Sequence, residues 1–163
     1  MDGIKLPIEI KPASEREIRS MAEIRAQVWE TEGFWQVRIR RYLNGEHSPQ
    51  HALSPRTVLV AMIDEEVVGF VAGHLTLRFE CNGELQWIDV ARNHRRHGIA
   101  GALLVRIADW FVHQSAFRVC VNVASENSAA LGLYAKYGAK PLNEGWLIWE
   151  DIRTAGMPQA NAH

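Results

Sequence analysis

The segment from residue 85 to residue 113 constrains the fold more than any other part of this sequence. Leu85–Val90 is rich in β-forming residues and predicts a strand, and the polar run after it ends at Gly98, where a helical pattern begins. Apolar residues then recur every four positions, at Ile99, Leu103, Ile107 and Phe111. Because a helix with one apolar stripe must bury it, the segment predicts a strand and a helix packed in adjacent layers.

The remainder of the chain predicts the same class of fold, a mixed α/β (α+β) arrangement. Strands are predicted at 6–11, 57–63, 67–75, 85–90, 117–123 and 146–152, with 77–81 as an extension of the third. Helices are predicted at 14–28, 34–43, 98–113 and 128–137. Ser14 and Glu17 have the spacing of a capping box, and residues 44–55 are rich in turn formers and predict a loop. We expect a single domain over 1–153 and a flexible C-terminal tail over 154–163.

The composition argues against a membrane protein and against a nucleic-acid partner. In the 163 residues the formal net charge is −1, which gives no general attraction for a polyanion. No apolar run reaches the roughly 18 residues that a membrane span needs. The first residues lack the basic and then apolar pattern of a signal peptide, so we expect a cytoplasmic location. Cys81 and Cys120 lie in strand-like segments, and we expect both to be free thiols.

The basic turn between the predicted strand and helix has the features of an anion-binding site. The first N–H groups of a helix have no intrahelical partners, and the helix dipole makes that end positive. Gly98 lets a ligand approach the backbone, residues 100–101 are small, and the arginines and histidines of 92–97 add positive charge. We therefore expect a pyrophosphate ligand here. Two alternatives, a nucleic-acid patch and a histidine metal site, have weaker support from the net charge and the ligand spacing.

The same turn fits a family pattern. R95-R-H-G-I-A100 matches Arg/Gln-x-x-Gly-x-Gly/Ala, which is a motif of the GNAT acetyltransferases, and a second family motif follows after one strand. The positions of that second motif are filled by Asn127, Ala130, Leu133, Tyr134 and Gly138. The chain thus resembles the GNAT superfamily of N-acetyltransferases over about 57–151. The resemblance implies the fold of that family, with a mixed central sheet of about six to seven strands and about four flanking helices.

The resemblance also implies a co-substrate, acetyl-CoA, and no metal. In that family the loop and the helix N-terminus bind the pyrophosphate, and Asn127 is placed to contact the pantetheine arm. The coenzyme contacts implied are Ile88, Asp89, Val90, Arg95, Arg96, His97, Gly98, Ile99, Ala100, Gly101, Asn127 and Tyr134. Backbone N–H groups near Ile88 to Val90, where family members separate two strands beside a bulge, are expected to polarise the thioester carbonyl. Tyr134 is expected to be the general acid that protonates the leaving thiolate.

Glu84 is the predicted general base for the amine. It stands eleven residues before Arg95, an offset similar to that of the catalytic glutamate in histone-type members of the family. Apolar neighbours such as Leu85 and Trp87 predict that the pKa of its carboxyl is raised toward neutrality. Asp89 is the rival base, and strand alternation places it on the face opposite Glu84. A general base that accepts the amine proton through a bridging water molecule is the third alternative.

The acceptor is the part of the function that the sequence constrains least. The resemblance implies direct transfer of an acetyl group to a primary amine in a ternary complex. Residues 29–35 place two acids between tryptophans, which suits a cationic amine, although helix-end charges and core aromatics are the simpler interpretation. A small molecule and a peptide stay open as acceptors, and so does a homodimer. The alternatives are an acyltransferase for a longer acyl-CoA and a non-catalytic acyl-CoA-binding module.

Overall fold

The computed structural model describes residues 7–156, and a seven-stranded sheet runs through them. The strands are β1 (Glu9–Pro12), β2 (Ala52–Ile63), β3 (Glu66–Thr76), β4 (Gly83–Val90), β5 (Val119–Asn122), β6 (Lys140–Asn143) and β7 (Trp146–Trp149). The α-helices are α1 (Ile18–Ala26), α2 (Glu32–Leu43), α3 (Ile99–His113) and α4 (Ser128–Lys136). Short 3₁₀ turns occupy Glu15–Glu17, Arg78–Glu80, Arg92–His94 and Ile152–Gly156.

Strand pairing makes the sheet mixed, in the order β1-β2-β3-β4-β5-β7-β6. β4 and β5 are parallel, and every other neighbouring pair is antiparallel. Parallel neighbours need a crossover connection, and the segment that contains α3 supplies it. The predicted fold class, a mixed α/β sheet of six to seven strands with four helices, is confirmed.

Successive residues of β3 show which helices cover each face of the sheet. Val71 packs in one core cluster with the buried residues of α3 and with Tyr134 of α4. Phe70 and Ala72 pack in a second cluster with the buried residues of α1 and α2. Since neighbouring strand residues point to opposite faces, α3 and α4 cover one face, and α1 and α2 cover the other.

The first helix begins as the spacing of Ser14 and Glu17 predicts. The Ser14 backbone N–H donates to Glu17 Oε1 at 2.7 Å, and the Arg16 N–H donates to Ser14 Oγ at 3.3 Å. This capping box opens a 3₁₀ turn that leads directly into α1. The predicted first residue of β1, Leu6, lies outside the described residues.

Two connections differ from the sequence prediction. The loop predicted at 44–55 ends earlier, because β2 begins at Ala52. The strand extension predicted at 77–81 is wrong, and a 3₁₀ turn stands there instead. Phe79 and Glu80 have φ values of +54° and +59°, in the left-handed region, and these end the extended conformation.

The C-terminal part also differs from the prediction. β6 at Lys140–Asn143 was not predicted, since it is a short edge strand that contains Pro141 and has no apolar alternation. The last strand ends at Trp149, before the predicted Ile152. Residues 152–156 form a 3₁₀ turn in which Ala155 is fully buried, and the flexible tail over 154–163 stays a prediction. The rest of that tail, 157–163, lies outside the described residues.

Gly101 allows α3 and the end of α4 to approach closely. A Cβ atom at this position would overlap the hydroxyl of Tyr137, whereas a Cβ at Gly132 in α4 would meet nothing within 4 Å. We therefore expect Gly101→Ala to lower the free energy of unfolding by about 1–3 kcal/mol. We expect the control Gly132→Ala to raise it by up to about 1 kcal/mol, because alanine favours a helix. Urea unfolding measures both.

Removal of the Tyr137 hydroxyl provides a second check on this contact. Tyr137→Phe combined with Gly101→Ala should be more stable than Gly101→Ala alone, because the closest overlapping atom, the hydroxyl oxygen, is gone and only the contact with Cζ at 2.9 Å remains. If the losses in the free energy of unfolding of the two single variants simply add in the double variant, the contact between Gly101 and Tyr137 is not the cause of the destabilisation.

Candidate functional site

The sheet opens where β4 and β5 separate. The two strands pair only at Gly83 with Val119, Glu84 with Cys120 and Leu85 with Val121. On its other side β4 stays paired with β3 as far as Val90. Within the described residues, the edge of β4 from 86 to 90 therefore has no strand partner on the β5 side. Such an edge presents backbone donors and acceptors to an extended ligand.

A β-bulge lies at Gln86, at the start of this open edge. Ala72 of β3 faces Trp87 and Gly73 faces Leu85, so Gln86 is the extra residue. The sequence prediction placed the bulge near Ile88 to Val90, which is wrong by two or more positions.

The bulge changes which face the later residues of β4 occupy. Glu84 contacts His74, which in turn contacts Tyr42 of α2, and Asp89 contacts Arg25 of α1. Both carboxylates therefore point to the face covered by α1 and α2. The prediction that Asp89 lies on the face opposite Glu84 is wrong, because the extra residue shifts the strand alternation by one.

Glu84 is buried, with 5% of its surface exposed, and its carboxylate is surrounded by donors. Arg78 Nε donates to Glu84 Oε1 at 3.0 Å, and Thr76 Oγ1 donates to the same atom at 3.3 Å. His74 Nε2 lies 3.6 Å from that oxygen. Burial pushes the pKa of the Glu84 carboxyl up, but His74 and Arg78 hold the net pKa below its ordinary value. The predicted rise of this pKa is therefore wrong.

Asp89 and Tyr134 were both predicted as site residues, and the charges of Asp89 and Arg25 both act on Tyr134. Arg25 Nη1 donates to Asp89 Oδ2 at 3.0 Å, and the Arg25 guanidinium stands 4.4 Å from the centre of the Trp35 ring. Burial raises the pKa of Asp89, and Arg25 opposes that rise. Burial and then the charge of Asp89 raise the pKa of the Tyr134 hydroxyl, so Tyr134 stays protonated. Sequence reasoning did not single out Arg25 as a site residue, because its spacing fitted an ordinary amphipathic helix.

The turn between β4 and α3 has the backbone geometry that the phosphate prediction requires. Gly98 has φ +79° and ψ 8°, in the left-handed region, and no side chain caps the N-terminus of α3. Residues 95–98 are exposed, and Ile99 is buried beneath them. The Arg95 side chain donates back to the Val90 carbonyl at 3.2 Å, which connects the turn to the end of β4. Arg96 and His97 stay exposed and able to meet an anion.

Asn127 begins α4 on the other side of the opening. Its side-chain Oδ1 accepts a hydrogen bond from the Ala130 N–H at 3.1 Å, which caps the helix as its residue type predicts. Asn127 is exposed, and its Nδ2 donates no hydrogen bond to another described residue. A donor is therefore left for a ligand.

The two cysteines lie apart from this opening. Cys81 and Cys120 are free and buried, as predicted, and they pack together with Ile148. A hydrogen bond from the Cys120 thiol, assisted by Arg118, lowers the pKa of Cys81. No group of three or more His, Cys, Asp or Glu side chains within 7–156 has the arrangement of a metal site. Over the same residues, no helix is long and apolar enough to cross a bilayer.

Comparison with known proteins assigns the family. A family model described as the acetyltransferase (GNAT) family matches residues 17–139. That range is more than half of the chain, so the chain belongs to the GNAT acetyltransferase family, as its motifs predict.

Two curated relatives have partial matches. The acetyl transferase GW6a of Oryza sativa subsp. japonica is 27% identical over an alignment of 132 residues, and the match covers 72% of this chain and 30% of that protein. The uncharacterized N-acetyltransferase YobR of Bacillus subtilis (strain 168) is 40% identical over 63 residues, which are 38% of this chain and 25% of that protein. The chain thus spans less than a third of the length of either relative.

Solved structures share the fold. The PaiA N-acetyltransferase from Thermoplasma acidophilum, in complex with coenzyme A, has a TM-score of 0.67 at 19% identity, over 90% of this chain and 99% of that one. The ribosomal-protein-alanine N-acetyltransferase from Brucella melitensis has a TM-score of 0.63 at 19% identity, over 86% of this chain and 96% of that one. At these identities the likeness establishes a common fold.

The lowered pKa of Glu84 predicts how stability depends on pH. A carboxyl whose pKa is depressed in the folded state stabilises the fold above its ordinary pKa, and this contribution disappears as the pH falls through the folded-state value. Glu84→Gln should therefore lower the free energy of unfolding at pH 7 by about 1–3 kcal/mol. The difference from wild type should shrink below about pH 4. Urea unfolding at several pH values tests this.

The matched control for this experiment is Glu80→Gln, which changes an exposed carboxylate in the adjacent turn. It should stay within about 0.5 kcal/mol of wild type at every pH. If Glu84→Gln lowers the free energy of unfolding by the same amount at pH 7 and at low pH, the charge of the Glu84 carboxylate is not the source of the stabilisation.

Proposed function

We propose that this protein transfers an acetyl group from acetyl-CoA to a primary amine, directly and within a ternary complex. One observation supports the proposal: two features that suit ligand binding are neighbours in the structure. The unpaired edge of β4 ends at Val90, and the uncapped N-terminus of α3 follows after Gly98. An extended chain that ends in a pyrophosphate matches that arrangement.

The coenzyme arm would lie along β4, with Asn127 facing it from α4. Ile88, Asp89 and Val90 would contribute backbone groups, because the Asp89 side chain is already paired with Arg25. The pyrophosphate would accept hydrogen bonds from the N–H groups of residues 99–101. Arg96 and His97 would add charge, while Arg95 keeps the turn joined to Val90.

The transfer needs a polarised carbonyl and a protonated leaving group. The amine nitrogen forms a bond to the acyl carbon, the carbon–sulfur bond breaks, and the thiolate takes up a proton. We assign the carbonyl contact to backbone N–H groups beside the Gln86 bulge, where the strand edge is free. We assign the proton on sulfur to Tyr134, which burial keeps in its neutral, proton-carrying form.

Glu84 would act on the amine as an ionised carboxylate. Because the pKa of the Glu84 carboxyl is lowered, the carboxylate is a weak acceptor for a proton from an alkylammonium, whose ordinary pKa is about 10. We therefore propose that Glu84 attracts the ammonium and that the amine proton leaves through water. Glu84 thus remains a proposed catalytic residue, but it attracts the ammonium and does not accept the amine proton directly, in contrast to the role as direct base that the sequence had predicted.

A primary amine on a small molecule or a peptide is the proposed acceptor. The name of the ribosomal-protein-alanine N-acetyltransferase indicates a protein acceptor for that structural neighbour. In this chain the connection between α1 and α2 presents an exposed Trp29, which is 58% accessible. An exposed aromatic ring beside Glu30 suits a cationic acceptor.

Gly98→Asp should remove coenzyme binding while the fold persists. A side chain at Gly98 meets no atom within 4 Å, so the change adds little beyond backbone strain and a negative charge at the phosphate position. Wild type should gain about 2.7 kcal/mol of stability at a hundredfold excess of acetyl-CoA over its Kd. Gly98→Asp should gain none. Calorimetry and thermal unfolding with acetyl-CoA measure both.

Gly45→Asp is the matched control for that variant. Gly45 also has φ +79° and also has open space around a Cβ, but it lies in the α2–β2 connection. Both variants should lose about 1–2 kcal/mol from the left-handed backbone, and only Gly98→Asp should lose coenzyme binding. Unchanged acetyl-CoA affinity in Gly98→Asp would place the phosphate site elsewhere.

Tyr134→Phe should separate chemistry from binding. The aromatic ring and its edge contact with Trp149 remain, so the affinity for acetyl-CoA should stay within a few-fold of wild type. The turnover number should fall roughly 100- to 1000-fold, because the general acid is lost. Tyr137→Phe, a control on the same helix end, should keep wild-type turnover. A thiol-release assay with a panel of amines would show it, and full activity in Tyr134→Phe would reduce Tyr134 to a packing residue.

A further inference from the structure

A chain of buried polar side chains runs from α2 across β3 to β4. Tyr42 and His74 have no exposed surface, and Glu84 has 5%. The Tyr42 hydroxyl lies 2.9 Å from His74 Nδ1, and His74 Nε2 lies 3.6 Å from Glu84 Oε1. His74 Nε2 is fully buried and has no hydrogen-bond partner among the described residues, so Glu84 Oε1 is the acceptor that it faces, and an unpaired buried polar atom is costly.

The tautomer of His74 follows from its two neighbours. If neutral His74 carries its proton on Nε2, Tyr42 donates to Nδ1, and the Nε2–H points toward the Glu84 carboxylate. If the proton is on Nδ1, the Nε2 lone pair faces a carboxylate oxygen, and the Tyr42 hydroxyl proton has no acceptor among the described residues. The first arrangement pairs donors with acceptors, whereas the second opposes two acceptors.

All contacts to the Glu84 carboxylate converge on one oxygen. Arg78 Nε, Thr76 Oγ1 and His74 Nε2 approach Oε1, at 3.0, 3.3 and 3.6 Å. Oε2 accepts no hydrogen bond from the described residues and is not one of their fully buried unpartnered atoms. One oxygen of this buried side chain is thus occupied, and the other retains contact with solvent.

We propose that His74, as the neutral Nε2–H tautomer, is a positioning residue that holds Glu84 Oε1 and so directs Oε2 toward the ammonium of the acceptor. The role at the acceptor rests on the proposed acyl transfer, while the tautomer and the contact to Oε1 do not. The Glu84 carboxylate, which can only accept, selects the tautomer, Tyr42 donates to Nδ1, and Arg78 supplies the fixed charge on the solvent side. His74 acts through Glu84 and does not touch the substrate.

The polar and titratable groups around Glu84 come from five elements. Arg78 belongs to the β3–β4 turn, His74 and Thr76 to β3, and Tyr42 to α2. From β2, Arg56 stands 4.8 Å from the centre of the Tyr42 ring. The thiol of Cys120 on β5 is the remaining titratable group, since Cys120 is the strand partner of Glu84. Loss of the His74 N–H leaves Arg78 and Thr76 as the donors that face Glu84 Oε1, so we expect the pKa of Glu84 to rise in His74 variants.

The first test is nitrogen NMR of the histidine rings in the full-length chain. His74 should show the pattern of a neutral ring protonated on Nε2, and Glu84→Gln, whose side-chain amide can either accept or donate, should convert it to a mixture of tautomers. A ring protonated on Nδ1 would overturn the proposal, and so would a tautomer that Glu84→Gln leaves unchanged. Carbon NMR of the Glu84 carboxyl should show a higher pKa in His74→Leu than in wild type, and an unchanged pKa would also overturn it. Neither measurement requires activity.

The second test is kinetic and uses acetyl-CoA with an accepted amine. His74→Leu should lower kcat/KM for the amine about 10- to 100-fold, because the polar contact that orients the Glu84 carboxylate is lost, and leave KM for acetyl-CoA unchanged. The acid limb of its pH profile should move to higher pH. His74→Gln, which keeps an N–H donor, should restore part of the loss, and His113→Gln, at an exposed histidine, should match wild type.

The outcomes separate the two proposals. If wild type binds acetyl-CoA but acetylates no amine, the proposed function fails, and the NMR experiments still decide the tautomer and the contact to Glu84. If wild type is active and His74→Leu equals it in kcat/KM and pH profile, the positioning role fails. If His74→Leu does not fold, His74→Gln and Tyr42→Phe carry the same measurements, and wild-type kinetics in both would contradict the proposal.

Discussion

The separation of β4 from β5 after Leu85 is the constraint on which the site depends. A buried strand normally satisfies its backbone groups with a partner on each side, and unpaired groups are costly when they are hidden from water. Here the β3 ladder continues to Val90, and helices cover both faces, so the strand stays extended while one edge is free. The free edge must be met by water or by a ligand. Because β5 is parallel to β4, the crossover through α3 also places a helix N-terminus just beyond that edge.

The bulge at Gln86 determines which charges meet at this edge. With one extra residue, Glu84 and Asp89 share a face, and each receives an arginine from a different part of the chain. Arg78 comes from the adjacent turn, and Arg25 comes from α1. The two carboxylates differ in their surroundings. The pKa of Glu84 is lowered by several donors, whereas burial outweighs Arg25 and raises the pKa of Asp89. Two acids on one strand therefore have distinct electrostatic roles.

Sequence reasoning succeeded where the determining forces are local. The periodicity of α3, the Ser14 capping box and the Asn127 cap each depend on residues within one or two turns, and each formed as predicted. The left-handed backbone of Gly98 belongs to the same group, whereas the positive φ of Arg96 in the same turn, +69°, was not predicted. The role of this turn as a coenzyme site stays a prediction.

The failures are of a different kind. Nothing in the segment Gly83–Val90 marks a bulge, since it has no internal glycine or proline, and strand alternation then placed Asp89 on the wrong face. The pKa of Glu84 was misjudged because only its sequence neighbours were considered. His74 is its partner across the β3–β4 ladder and could have been found from the hairpin register. Tyr42 and Arg25 come from helices more than 40 residues away in sequence from Glu84 and Asp89, and no local pattern identifies them.

The junction between α1 and the β4–α3 turn has a consequence for the rigidity of the α1–α2 connection. Gln27 accepts a hydrogen bond from the Arg92 N–H at 3.1 Å and, through its carbonyl, another from the Arg92 guanidinium at 2.7 Å. Two residues later, the Trp29 carbonyl accepts a hydrogen bond from Trp35 Nε1 at 2.6 Å. The α1–α2 connection is thus tied at both ends, to the turn on one side and to α2 on the other. These hydrogen bonds fix the conformation of the connection, and a connection grafted from another protein would need to form the same hydrogen bonds.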